Sequence, residues 1–254
     1  MSMKIVVDNQ LVNYSDEGSG DVILLLHGWG ANLQSFDEVA HRLQKNYRVI
    51  RIDFPGFGSS PQPAANWDIG DYATLVKEFL LKKEVIRLKA VIAHSFGGRI
   101  AIKLAGQNML ETEKIILIGS GGIRHSSSPR QQVYRIVAKI GKYVMKLPGL
   151  NKLQSKMRMR LYQNAGAMDY LESGDMKDIF LRVIDEDVRD FAAKIMVPTL
   201  LIWGEQDAET PLVDGKIFHD KIKHSTFIVI PAAGHFTYID QPDLVMMEIE
   251  AFLR

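Results

Sequence analysis

The segment VIAHSFGGRIAI, residues 91–102, joins two kinds of structure through a single serine. Its apolar start leads into His94-Ser95, glycines follow at 97 and 98, and the residues from Phe96 onward read as a helix. A continuous apolar run bounded by turn residues is expected of a strand covered on both faces. Ser95 then stands in the tight turn between strand and helix. In a mostly parallel sheet, ligands bind outside the carboxyl ends of the strands, which puts this hydroxyl on the binding rim. Such a turn needs small neighbours, and its usual pattern is G-x-S-x-G. Here it is Ala93-His94-Ser95-Phe96-Gly97, so position 93 departs from glycine but stays small. The helix start also turns free N–H groups toward an incoming negative charge.

Outward from this turn, short apolar runs alternate with helix-length segments. KIVV at 4–7 and LVNY at 11–14 flank the turn Asp8-Asn9-Gln10 and read as a hairpin. VILLLH at 22–27, YRVIRID at 47–53, KAVIAH at 89–94, KIILIG at 114–119, PTLLIWG at 198–204 and TFIVI at 226–230 read as further strands. Helices are expected over 35–45, 69–84, 96–107, 211–219 and 241–253. This alternation predicts an α/β fold with a mostly parallel central sheet and helices on both faces. Residues 122–192 break the pattern with helical periodicity alone, as in the stripe Val133, Ile136, Val137, Ile140, Val144 and Leu147. They read as a helical insertion into a core made of residues 1–121 and 193–254.

Composition narrows the classes. The net charge of +1 gives no overall steer toward nucleic acid. With no cysteine, a thiol nucleophile and thiolate metal sites are excluded. The N-terminal MSMKIVVDNQ carries no apolar signal region, and the longest apolar run, VILLL, is far short of the ~20 residues of a membrane span. The expected protein is cytoplasmic, without a transmembrane segment.

A serine nucleophile needs a base, and the base an orienting acid. Of seven histidines, His235 in IPAAGHFTYID follows the last strand and so shares the rim of Ser95. His94 is expected to diverge from the hydroxyl and pack as a wall residue. His41, His125, His219 and His224 lie in helical or polar segments and are expected to be solvated. Asp207, in WGEQDAETP at 203–211, is the expected acid, with Glu205 and Asp214 as competitors. The oxyanion of a tetrahedral intermediate needs N–H donors. Those expected are the backbone N–H groups of Phe96 and of Trp29, in His27-Gly28-Trp29-Gly30 after the VILLLH strand. No cofactor or metal is required, and activity is expected to rise with pH through roughly 6–7 as His235 loses its proton.

HGWG, DFPGFGSS at 53–60, AHSFGG, WGEQD and AGHF occur in the order found in the α/β-hydrolase superfamily, which the chain resembles over nearly its whole length. The resemblance implies a Ser-Asp-His order and makes residues 122–192 a cap over the pocket. Serine at 95 disfavours members that use an aspartate nucleophile. Esterases, thioesterases and carbon–carbon bond hydrolases of ring-cleavage-type diketo acids stay open. So does a hydrolase-like small-molecule receptor, which the intact set of motifs disfavours. HGWG with Ala31-Asn32 locally resembles the carboxylesterases that demethylate pimeloyl-carrier-protein esters. Residues 122–160 hold ten Lys or Arg and no Asp or Glu, whereas 169–190 hold eight acidic and three basic residues. The basic stretch would suit an anionic substrate, an acyl-carrier protein or a membrane surface, or else simply face solvent or the acidic half.

Overall fold

The computed structural model describes residues 2–64, 66–124 and 173–254. Eight strands form one sheet: β1 (Met3–Val7), β2 (Gln10–Glu17), β3 (Val22–Leu26), β4 (Arg48–Ile52), β5 (Arg87–His94), β6 (Glu111–Ile118), β7 (Thr199–Gly204) and β8 (Ser225–Ile230). Their order is β1-β2-β4-β3-β5-β6-β7-β8. Each lies where the apolar runs place it. Only β2 runs against the others, pairing antiparallel with β1 and with β4. Its hairpin with β1 turns at Asp8 and Asn9, with φ of 46° and 63°. Two successive positive φ values are what a tight I′ hairpin requires, and Asp and Asn tolerate them.

The central strands are buried on both faces, so successive residues enter different cores. Leu24, Leu26, Val91, Ala93, Ile115, Leu117, Leu201 and Trp203 face one layer. Ile23, Leu25, Ala90, Ile92, Ile116, Ile118, Leu200 and Ile202 face the other. Two-sided burial explains why these strands read as unbroken apolar runs rather than as polar–apolar alternation. Helices α1 (Asp37–Leu43), α2 (Ile69–Lys82) and α3 (Phe96–Gly106) flank the first half of the sheet. The first layer packs on α2 and α3, through residues such as Tyr72, Phe79, Ile100 and Leu104. In α2 the Asp68 carboxylate accepts from Gly70 N and Asp71 N, while Asp71 accepts from Asp68 N, a reciprocal cap worth ~1 kcal/mol.

The segment between β6 and β7 is described at its two ends. Helices α4 (Lys177–Asp185) and α5 (Arg189–Ala192) lead back toward β7, and Val188 N donates to Gly122 O at 2.9 Å. Arg99 of α3 donates to Val183 O and Glu186 O at 3.0 Å each, so the core holds the C-terminal end of helix α4. The expected stripe over 133–147 lies outside the described residues. Helices α6 (Leu212–Lys221), α7 (Thr237–Asp240) and α8 (Pro242–Leu253) complete the described chain. The second core layer packs on α1 and α8. Among the described residues, no helix is long and apolar enough to cross a membrane.

Candidate active site

Ser95 has φ 50° and ψ −108°, a backbone state that side chains rarely adopt and that costs on the order of 1–3 kcal/mol. Three main-chain bonds hold it there. Ser95 N donates to Ile118 O at 3.1 Å, Gly121 N donates to Ser95 O at 3.1 Å, and Gly97 N donates to His27 O at 3.1 Å. The turn works only with bare backbone beside it. A Cβ on Gly97 would stand 2.3 Å from Leu26 O, and one on Gly98 would stand 2.2 Å from Ser120 Oγ. This is the physical reason for the small residues read in the motif. Phe96 opens α3, so its N–H has no partner within the helix.

Asp207 and His235 come together from the loops after β7 and β8. Asp207 Oδ2 lies 2.8 Å from His235 Nδ1. Asp207 Oδ1 accepts from Glu209 N and Thr210 N, both at 2.9 Å, and Oδ2 also accepts from the Thr210 hydroxyl at 2.8 Å. Burial pushes the Asp207 carboxyl up, but the His235 hydrogen bond and charge, with the Thr210 donors, outweigh it and leave the group below the usual carboxylate range. An ionised Asp207 makes Nδ1 the protonated nitrogen of His235 and leaves Nε2 as the basic one. Gly119 packs between these parts and Ser95. A Cβ there would lie 3.2 Å from both Asp207 Oδ2 and His235 Nδ1.

The two glycine-bearing loops after β3 and β4 lie beside this rim. A Cβ on Gly28 would approach the Ser95 Cβ to 3.4 Å, so the HGWG loop borders the serine directly. His27 donates from Nδ1 to Gly28 O at 2.7 Å and accepts from Phe54 N at Nε2 at 3.0 Å, tying this loop to DFPGFGSS. Burial is the main cause that pushes His27 down to about 4, so it is neutral at pH 7. Asp53 is fully buried and accepts from Leu33 N at 2.7 Å, Ser59 N at 2.8 Å and Asn13 Nδ2 at 2.8 Å. It is the peg of the second loop. Trp29 packs on Phe57, Phe96 and Phe180, and its indole N–H donates to Ser173 Oγ at 3.1 Å.

The competing acids have other contacts: Glu205 Oε2 accepts from Ala232 N at 3.3 Å, and Asp214 lies in the first turn of α6. His94 is packed as expected, but it also bonds: its Nε2 lies 3.1 Å from His235 O. Thr210 is a second contact that sequence reading missed. The Asp-x-x-Thr spacing, in which an aspartate caps the N–H groups two and three residues on, is the local signal that points to it. His41, His219 and His224 are exposed as expected, while His125 lies outside the described residues. Among the described residues, no group of three or more His, Cys, Asp or Glu could hold a metal ion.

This mostly parallel sheet with helices on both faces has counterparts among known proteins. The esterase from Exiguobacterium antarcticum superposes with a TM-score of 0.78 at 24% identity, covering all of this chain and 99% of that one. The meta-cleavage product hydrolase from Pseudomonas fluorescens gives a TM-score of 0.75 at 20% identity over 98% and 96%. These two show the shared fold. In sequence, the pimeloyl-[acyl-carrier protein] methyl ester esterase of Pectobacterium atrosepticum is 26% identical over 255 residues, 95% of this chain and 98% of its own length. The model of the alpha/beta hydrolase family matches residues 23–248, from β3 into the last helix, and spans every motif loop described above. By sequence and by fold, the chain belongs to the alpha/beta hydrolase family.

Proposed function

We propose that the protein is a serine hydrolase that cleaves a small carboxylic ester or thioester through an acyl-enzyme. The observation that carries this reading is the 2.8 Å pair between Asp207 and His235 on the same rim as a serine held at φ 50°. Ser95 Oγ attacks the acyl carbon while His235 Nε2 takes its proton. Asp207 holds the imidazole by Nδ1 and stabilises the cation that forms. The N–H groups of Trp29 and Phe96 receive the oxyanion. His235 then returns the proton to the leaving group, and water activated by His235 releases the acid. Residues 122–192 act as the cap, which Trp29, Ser173 and Phe180 join to the core at one edge.

The esterase of Pectobacterium atrosepticum also supports an acyl group delivered on a carrier protein. The basic residues at 122–160 would supply the complementary charge. Reversal of Arg135, Lys139 and Lys142 to Glu should then weaken turnover of carrier-bound esters and spare free neutral ones. The test of the reaction itself is hydrolysis of p-nitrophenyl esters of increasing acyl length, wild type beside Ser95→Ala. Turnover that disappears in the variant supports the reading. Turnover that survives it means a different nucleophile, and no turnover in folded wild type moves the reading to carbon–carbon cleavage of diketo acids or to a hydrolase-like small-molecule receptor.

A further inference from the structure

The loop after β7 brings a second carboxylate to the proposed base. Glu209 Oε2 lies 3.4 Å from His235 Nε2, at the opposite ring nitrogen from the one that faces Asp207. This is an ion-pair distance when the imidazole is protonated, longer than a hydrogen bond. The two carboxylates differ in setting. The Asp207 side chain is buried and bonded on both oxygens. The Glu209 side chain is 57% exposed, while its own N–H is fixed on Asp207 Oδ1. The main chain of Glu209 is therefore tied to the machinery, and its carboxylate stands at the solvent edge of it.

Nε2 is the nitrogen that returns a proton to the leaving group when Ser95 is the nucleophile, the reading on which this inference rests. The leaving group must then pass within a few ångströms of Glu209. The geometry points to Glu209 as a specificity-determining residue whose carboxylate favours esters with a cationic or hydrogen-bond-donating leaving group over anionic ones. Around the ring, Thr210 Oγ1 is 3.3 Å from Nδ1, and the rings of His94 and Phe236 lie 4.6 Å and 5.4 Å away. Burial first, then the nearby His235, holds His94 well below the usual histidine range and keeps it neutral.

The test uses two esters of one shape, acetylcholine and its uncharged isostere with carbon in place of the quaternary nitrogen. In Glu209→Gln the ratio of kcat/KM for the cationic over the neutral ester should fall about threefold, the scale of an exposed ion pair. An unchanged ratio would overturn the assignment. A second measurement needs no turnover: NMR titration of the His235 imidazole in Ser95→Ala, with and without Glu209→Gln. Loss of the carboxylate should lower that titration by roughly half a unit, and an unmoved titration also overturns the assignment. If wild type cleaves p-nitrophenyl esters but neither of these two, the titration alone decides the place of Glu209; if it cleaves no ester at all, the esterase reading fails and the titration still decides.

Discussion

His94 and His235 meet across 141 residues of sequence: the Nε2–H of the first donates to the main-chain oxygen of the second at 3.1 Å. The residue just before the proposed nucleophile thus fixes the backbone that carries the proposed base. The other ring nitrogen, Nδ1, is buried without a hydrogen-bond partner among the described residues. A Cβ on Gly28 would come within 2.7 Å of it, so the HGWG loop is packed on the same ring. The ring therefore links three of the motif loops.

His94→Phe should keep the ring volume and lose the bond. Loss of one buried hydrogen bond costs about 1–3 kcal/mol. The expected phenotype is a roughly tenfold lower kcat with little change in KM, since misplacement of a base by a fraction of an ångström acts on the reacting geometry. His94→Gln, which can offer an N–H in the same direction, should recover part of the loss. Equal kcat in wild type and His94→Phe would remove His94 as a positioning residue.

Asp207→Asn keeps the shape of the loop but removes the charge that selects the His235 tautomer. A kcat lower by about three to four orders of magnitude is expected, by analogy with the buried aspartate of serine-protease triads. Glu205→Gln and Asp214→Asn provide the contrast, because Glu205 accepts from Ala232 N and Asp214 lies in the first turn of α6. A loss of that size in either of them, with Asp207→Asn nearly active, would reassign the acid.

Two buried neutral histidines make the fold sensitive to acid. His27 titrates near 4 in the folded chain and near 6.5 when unfolded, mainly through burial. Burial likewise moves His94 well below its ordinary value. Each depressed histidine pKa means that the unfolded chain binds more protons below about 6.5. The stability linked to these groups is complete above that pH and declines as pH falls toward 4. For His27 alone the loss is about 3 kcal/mol. Urea midpoints at pH 7.5, 6, 5 and 4, taken at about those values, should fall steadily, and a flat series would show that neither ring is buried neutral.

Asp53→Ala should destabilise the fold without touching the reacting groups. It would leave the N–H groups of Leu33 and Ser59 and the Asn13 amide without their acceptor, at ~1–3 kcal/mol for each buried donor left unpaired. Gly58, at φ 55°, also depends on this site, since a Cβ there would stand 2.2 Å from Asp53 Oδ2. A urea midpoint equal to that of wild type would show that Asp53 does not pin the loop.

The strands were legible because both faces of β3, β5, β6 and β7 are covered, which leaves apolar runs with sharp ends. The rim positions of Ser95, Asp207 and His235 were legible because each follows an apolar strand run. Sheet order was not, since nothing local in β4 says that it lies between β2 and β3. Nor were the contacts of His94 and Glu209 with His235, which join distant loops through side-chain directions that spacing does not encode. Thr210 lay between, with a local signal in its distance from Asp207.

The most direct test of Ser95 as nucleophile is acid-quench trapping during turnover of p-nitrophenyl acetate, followed by peptide mass spectrometry. The expected result is an acetyl group on the peptide that contains Ser95, at a level that rises with the burst of nitrophenol and is absent in Ser95→Ala. Turnover with no acetylated peptide, or with the acetyl group on another residue, would contradict the mechanism.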